Sequence, residues 1–277
     1  MNNVVDFPMY ALNHEETRAL WLALREILAA RGVAVADLPT HWPREALLNH
    51  WRDPQLLLSQ TCGYPLVTRL ADVQIVGCFH YAAEGCEGAN YRSLLVSQEA
   101  NRHRTLADFR HRRAVCNSPD SQSGYNALLE RVAPLAESGR FFSAVRWSGS
   151  HRQSLIELQQ GTADIAAIDC VSWALLQRHD PALLAGLCVI GRSPLAPGLP
   201  LISSKDTPPA MMALLREALH QLVTGAQYRD ICRAQLIDDF SVVTRQPYAQ
   251  LLAWRAEAAT RGVTQRRRVK EAGPPSA

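Results

Sequence analysis

Residues 113–129 read RAVCNSPDSQSGYNALL, from Arg113 to Leu129: a short apolar strand, a serine-rich turn and then a helix. Ala114, Val115 and Cys116 form an apolar run that Asn117, Ser118 and Pro119 halt at once, the pattern of a buried strand ending in a turn. Ser121, Gln122, Ser123 and Gly124 then precede the helical spacing of Tyr125, Leu128, Leu129 and Val132. The first N–H groups of a helix have no partner within it and carry the positive end of its dipole, so this spot suits an anion. Ser121 or Ser123 can equally be a plain helix cap, and on one such turn alone the cap is the favoured reading.

A second turn of the same kind shifts that balance. Trp147-Ser148-Gly149-Ser150-His151 follows a strand-like run, Phe141 to Val145, and leads into the helical pattern of Leu155, Ile156 and Leu158. Two strand-turn-helix units in succession are what adjacent strands of a parallel sheet produce, with both turns at the carboxyl ends. A third apolar run, Ala163 to Asp169, ends in a carboxylate that falls at the same edge. One acid beside two anion-friendly turns describes a ligand with a negative head and a positive or hydrogen-bond-donating tail.

Length and composition narrow the class. The 277 residues suffice for two ordinary domains, and 47% hydrophobic with 20% charged residues are globular values. A net charge of +3 is too small to imply a nucleic-acid partner. The basic stretch from Arg102 to Arg113 reads as a solvated face, since Phe109 is its only aromatic. No run of apolar residues is long enough to span a membrane. The first six residues carry no Lys or Arg, so the sequence as given reads as cytoplasmic, and as periplasmic if a leader was trimmed. The seven cysteines show no zinc spacing. One disulfide among Cys62, Cys78 and Cys86 is open if the chain is exported.

Along the chain, Val4 to Tyr10 reads as a strand delivering Met9 and Tyr10 to a loop. Asn13 with Glu16 opens a helix whose stripe of Leu20, Trp21, Leu24, Ile27 and Leu28 ends at Gly32. A short helix over Trp42 to Trp51, a strand over Gln55 to Ser59 and a turn over Gln60 to Leu66 follow, the last placing Tyr64 on the same rim as Tyr10. Val73 to Phe79 and Tyr91 to Ser97 are further strands, the second a crossover. Gly186 to Ile190 closes the second unit, and Leu201 to Ser203 returns to the first. Pro208 opens a long helix stopped by Gly225, and Tyr248 to Ala259 is the last.

These residues carry a resemblance. Tyr91-Arg92-Ser93, Thr105-Leu106-Ala107-Asp108, Ser121-Gln122-Ser123-Gly124-Tyr125, Gly149-Ser150-His151 and Asp164 to Asp169 resemble, in that order, the phosphonate, phosphite and phosphate-binding proteins of ABC importers. The likeness runs from about Asp53 to Ser204. It implies an α/β fold of the type II periplasmic-binding-protein kind, with two lobes, each a mostly parallel sheet flanked by helices, and the ligand in the cleft between them. The implied lobes are residues 1–97 with 200–260, and 98–199, leaving 261–277 as a flexible basic tail. By this likeness Ser121, Ser123 and Gly124 form the phosphoryl-binding turn, and His151 follows Ser150 in the second turn. Tyr91 and Asp169 match further family positions and Tyr64 lies near one, while Tyr10 joins the candidate ligand set from its place on the same rim as Tyr64. Gln122 stands where the family has Thr, which opens the way to a larger head or to a carboxylate or sulfonate.

The function implied is the solute-binding component of an ABC importer for a small oxyanion, with a permease as partner, no cofactor, no metal, and a monomeric chain. Catalysis has no motif behind it: no GxSxG elbow, phosphate-binding Walker loop, dinucleotide fingerprint or HExxH occurs. A cofactor-biosynthesis enzyme on the same two-lobed fold and a cytoplasmic ligand sensor remain the alternatives.

Overall fold

The computed structural model describes residues 3–37 and 44–264. Its strands are β1 (Val4–Val5), β2 (Leu56–Gln60), β3 (Gln74–Tyr81), β4 (Asn90–Tyr91), β5 (Ser93–Gln98), β6 (Arg113–Cys116), β7 (Ala144–Trp147), β8 (Ile165–Asp169), β9 (Leu187–Arg192), β10 (Ala196–Pro197), β11 (Pro200–Ser203) and β12 (Ile237–Ser241). The helices are α1 (His14–Ala29), α2 (Arg44–His50), α3 (Gly63–Thr68), α4 (Ala127–Val132), α5 (His151–Gln159), α6 (Cys170–His179), α7 (Pro209–Thr224), α8 (Arg229–Ala234) and α9 (Ala249–Thr260).

Two five-stranded sheets organise the molecule, in the orders β1-β2-β11-β3-β12 and β7-β6-β8-β5-β9. In the second, β6 pairs in parallel with β7 on one side and β8 on the other, so the turns after all three strands leave the same edge. Only β5 runs against its neighbours there; in the first sheet β11 and β12 are the reversed strands. The chain passes between the sheets through β4 and returns through β10, and these two passages pair antiparallel, Tyr91 opposite Ala196. Two lobes joined by a paired double crossing are the result.

Helices form where apolar spacing gives them a face to bury. In α1, Asn13 Oδ1 accepts the Glu16 N–H at 3.1 Å as the cap, and Leu20, Trp21, Leu24, Ile27 and Leu28 are all buried. With Met212, Leu215, Leu219 and Leu222 of α7 they cover one face of the first sheet. Each such fully buried aliphatic side chain contributes about 1.5–3 kcal/mol. A second core, from Phe109 and Phe141 to Leu128 and Leu129, lies under α4. The largest cluster runs through the middle, from Leu56, Leu66 and Ile202 to Leu155, Ile168 and Leu175.

Several sequence expectations shift. The first strand is only Val4–Val5 because Pro8 has no N–H for the ladder, although the Asp6 N–H still donates to Leu58 O at 3.0 Å. The expected turn over Gln60 to Leu66 is the start of α3, with Tyr64 in its first turn. The strand from Tyr91 to Ser97 is broken at Arg92 into β4 and β5, and β5 lies in the second sheet, so a lobe boundary at residue 97 falls inside that sheet. The strand expected at Phe141 begins at Ala144, Phe141 itself being core. Residues 261–264 continue as a turn after α9, with Val263 packed on the second core. Trp42, Pro43 and residues 265–277, the rest of the expected tail, lie outside the described residues.

Candidate functional site

The edge where β6, β7 and β8 end carries the site. The Ser148 N–H donates to Cys116 O at 2.9 Å and the Gly149 N–H to Asn117 O at 3.0 Å, which ties the second turn to the end of β6. Gly149 takes φ +92°, a left-handed conformation that costs a side-chain-bearing residue energy and glycine little. Ser121 Oγ accepts the Gly124 N–H at 2.9 Å and caps a π-helical turn, Gln122–Asn126, that leads into α4. Gly124 is required there, since a Cβ would stand 1.7 Å from Asn117 Oδ1. Ser150 Oγ accepts the Gln153 N–H at 2.9 Å and caps α5. Between these two helix starts, Ser123 Oγ and His151 Nε2 lie 2.9 Å apart. Ser93 Oγ, from β5, donates to Ser123 O at 2.8 Å and holds the first turn in place.

Asp169 ends β8 and caps α6. Its Oδ1 accepts the Val171 N–H at 2.8 Å and the Ser172 N–H at 3.1 Å, and its Oδ2 accepts the Tyr10 O–H at 2.7 Å from the other lobe. Burial pushes the carboxyl up to about 6, and those three donors pull it the other way. Burial and the Asp169 charge together hold the Tyr10 phenol well above its ordinary value.

These groups face a cavity of about 1020 Å³ that opens between the lobes and runs on along α1 to Arg25 and Asp37. The first lobe contributes Asp6, Tyr10, Trp51, Cys62 and Arg69; the second contributes Ser121, Ser123, His151, Asp169 and Ser172. Of the residues picked from sequence, Tyr10, Ser121, Ser123, His151 and Asp169 meet on this cleft. Gln122, Gly124, Ser150, Tyr64 and Tyr91 do not line it. The Gln122 side chain is buried, with its Oε1 accepting from Asn126 Nδ2 at 2.7 Å, so the amide packs inside the second lobe and leaves the head-group space unaltered. Tyr64 lies under the guanidinium of Arg255, 4.3 Å from ring centroid to Cζ. Tyr91 is buried in the crossing strand β4.

Of the lining residues that sequence reasoning missed, three bear on the chemistry of the site. Cys62 Sγ, at the start of α3, accepts the Gln122 N–H at 3.3 Å across the cleft. Burial raises this thiol's pKa, while the N–H groups of Gln122, Tyr64 and Ser123 act the other way, so two helix starts from opposite lobes converge on one sulfur. Asp6 and Trp51 are the others. Asp6 carried the signal that singled out Asp169, an acid closing an apolar strand, and Trp51 carried none.

The disulfide left open among Cys62, Cys78 and Cys86 is not formed. All seven cysteines are free, and the close pair is Cys86 with Cys170, at 3.5 Å between sulfurs, because Cys62 faces the cleft and Cys78 lies buried on β3. Among the described residues no group of three or more His, Cys, Asp or Glu is placed to hold a metal ion, and no helix is long and apolar enough to cross a membrane.

Comparison with known proteins places this geometry. The chain superposes on PhnD1 from Prochlorococcus marinus in complex with methylphosphonate, at 14% identity and a TM-score of 0.75 over 93% of this chain and 98% of that one. It matches a binding-protein component of an ABC phosphonate transporter from Pseudomonas aeruginosa at 17% identity, TM-score 0.70, over 94% and 97% of the two chains. A Xanthomonas citri protein bound to ATP matches at 13%, TM-score 0.69, over 94% and 98%. At these identities the likeness shows the fold, which is that of type II periplasmic binding proteins. A search of curated proteins found no match. Residues 53–248 match the sequence model of the periplasmic phosphonate substrate-binding proteins of ABC transporters, and the chain belongs to that family.

Proposed function

We propose that the chain binds a small oxyanion of the phosphonate or phosphate class at the paired helix starts of the second lobe and hands it to an ABC permease. The observation that carries this reading is the 2.9 Å contact between Ser123 Oγ and His151 Nε2 on the cleft wall, each at the first turn of its own helix. With His151 Nε2–H donating to Ser123 Oγ, the Ser123 hydroxyl is turned outward and joins the N–H groups of two helix starts as donors to one tetrahedral anion. Hydrogen bonds to a charged group contribute about 1.5–3 kcal/mol each, so four or five of them support micromolar binding, near −8 kcal/mol. The methylphosphonate of PhnD1 and the phosphate-bearing ATP of the Xanthomonas citri protein are ligands of the same chemistry on the same fold. The closed lobes are the signal a permease reads, the chain acts as a monomer in the periplasm, and no step of this role needs a nucleophile.

Calorimetric titration with methylphosphonate, phosphite, phosphate and methanesulfonate tests the reading. Ser123→Ala and His151→Ala are each expected to weaken oxyanion binding about tenfold or more. Unchanged affinity in both variants removes the two residues from the site, and turnover of any of the four compounds replaces the binding role with an enzymatic one.

A further inference from the structure

Asp6 closes β1 on the cleft wall and is 2% exposed. One oxygen, Oδ2, lies 2.6 Å from Nε2 of the equally buried His50. The other, Oδ1, has no hydrogen-bond partner among the described residues. Trp51, next to His50 in sequence, lines the same cleft at 6% exposure, and its indole N–H has no acceptor there either. A carboxylate offers about four lone-pair sites, and leaving a buried one without a partner costs about 1–3 kcal/mol. Native proteins rarely retain such groups unless they serve something beyond the fold.

Asp169, the acid the sequence points to, is already committed: one oxygen caps α6 and the other holds Tyr10. Of the two buried carboxylates on the cleft, Asp6 is the one with spare capacity. With His50 already against Oδ2, the free oxygen calls for a donor. The indole N–H of Trp51, on the same cleft, calls for an acceptor. A hydroxyl is both.

Resting on the oxyanion site proposed above, we infer that Asp6 and Trp51 form a second subsite of the cleft that recognises a hydroxyl-bearing tail, so that the ligand is a hydroxylated organophosphonate or a polyol phosphate. The anionic head lies on the second lobe and the hydroxyl end on the first, so such a ligand bridges the lobes.

Calorimetry on the whole chain with two matched pairs tests this: ethylphosphonate against 2-hydroxyethylphosphonate, and propylphosphonate against 2,3-dihydroxypropylphosphonate, with 2-aminoethylphosphonate as the cationic arm. At least one hydroxylated member is expected to bind about tenfold tighter than its alkyl counterpart. That gain is lost in Trp51→Phe, which removes only the N–H, and in Asp6→Asn, while alkylphosphonate affinity is retained. Trp51→Phe carries the test should Asp6→Asn fail to fold. The inference is overturned if neither hydroxylated compound gains, if the gain survives in Trp51→Phe, or if only the amine gains. Failure of ethyl- and propylphosphonate to bind at all defeats the oxyanion site itself, and this subsite with it.

Discussion

Asp169 holds α6 and Tyr10 at once, yet burial leaves its carboxyl at about 6, above the ordinary aspartate value. A raised value means the folded state takes up the proton more readily than the unfolded chain, so the stabilisation is present in full below about pH 4 and is lost as pH rises through 6. A displacement of that size is worth about 3 kcal/mol. Asp169→Asn keeps an oxygen for the Val171 and Ser172 N–H groups and cannot ionise. Urea unfolding at pH 4.5 and pH 7 should therefore show a steeper decline in the wild type than in the variant, by about 2 kcal/mol, since part of the full effect is already lost at pH 4.5; parallel pH dependences would mean the carboxyl is not destabilised by its site. Strand-end acids and helix-start serines were visible from local pattern, which is why Asp169, Ser123 and His151 were found. Cys62 and Trp51 were not, because what brings a thiol or an indole to this cleft is the packing of one lobe against another.

α9 shows what an element adds that its own sequence does not announce. Arg255 lies with its Cζ 4.3 Å from the ring of Tyr64 in α3 and 4.8 Å from that of Tyr125 beside α4, and donates to Asn126 Oδ1 at 3.1 Å and Pro119 O at 3.2 Å. Leu251 belongs to the central cluster and Ala258 to the core of the second lobe, so the helix straps the two together. Cation–π contacts and the planar donor fork both favour arginine here. Arg255→Ala is expected to lower stability by about 1–3 kcal/mol in urea unfolding, and Arg255→Lys to recover only part of it; a change within about 0.5 kcal/mol, ordinary for a surface substitution, would reduce the strap to a surface contact. The long helices α1 and α7 were legible because a 3.6-residue stripe is a strong signal. β12 was missed since Ile237-Asp238-Asp239-Phe240-Ser241 has no two-residue alternation and gains its strand from pairing with β3. By apolar spacing Gln122, Ser123 and Gly124 read as a turn before a helix that begins at Tyr125, whereas they form a π-helical turn, Gln122–Asn126, whose extra residue leaves no trace in that spacing.

Tyr10 of the first lobe donates to Asp169 of the second at 2.7 Å, and Gln122 of the second donates to Cys62 of the first at 3.3 Å, so the lobes already meet in this structure and a bound ligand is expected to favour this closed form over an open one about the paired crossing strands β4 and β10. Small-angle scattering should show a smaller radius of gyration with saturating methylphosphonate than without. At a hundred times the dissociation constant the folded state gains about 2.7 kcal/mol, which raises the melting temperature of a chain this size by roughly 5–10 °C. An unchanged radius together with an unchanged melting temperature would remove both closure and ligand.

The sequence by itself determined the α/β class, the two strand-turn-helix units and the acid at the end of β8, since each rests on spacing within some thirty residues. Only the tertiary structure decided that β5 joins the second sheet, that Gln122 turns inward, and that Asp6, Trp51 and Cys62 face the same cleft as Ser123 and His151. Those outcomes depend on contacts between residues far apart in the chain, where the energy of pairing and burial, rather than local pattern, selects the partner.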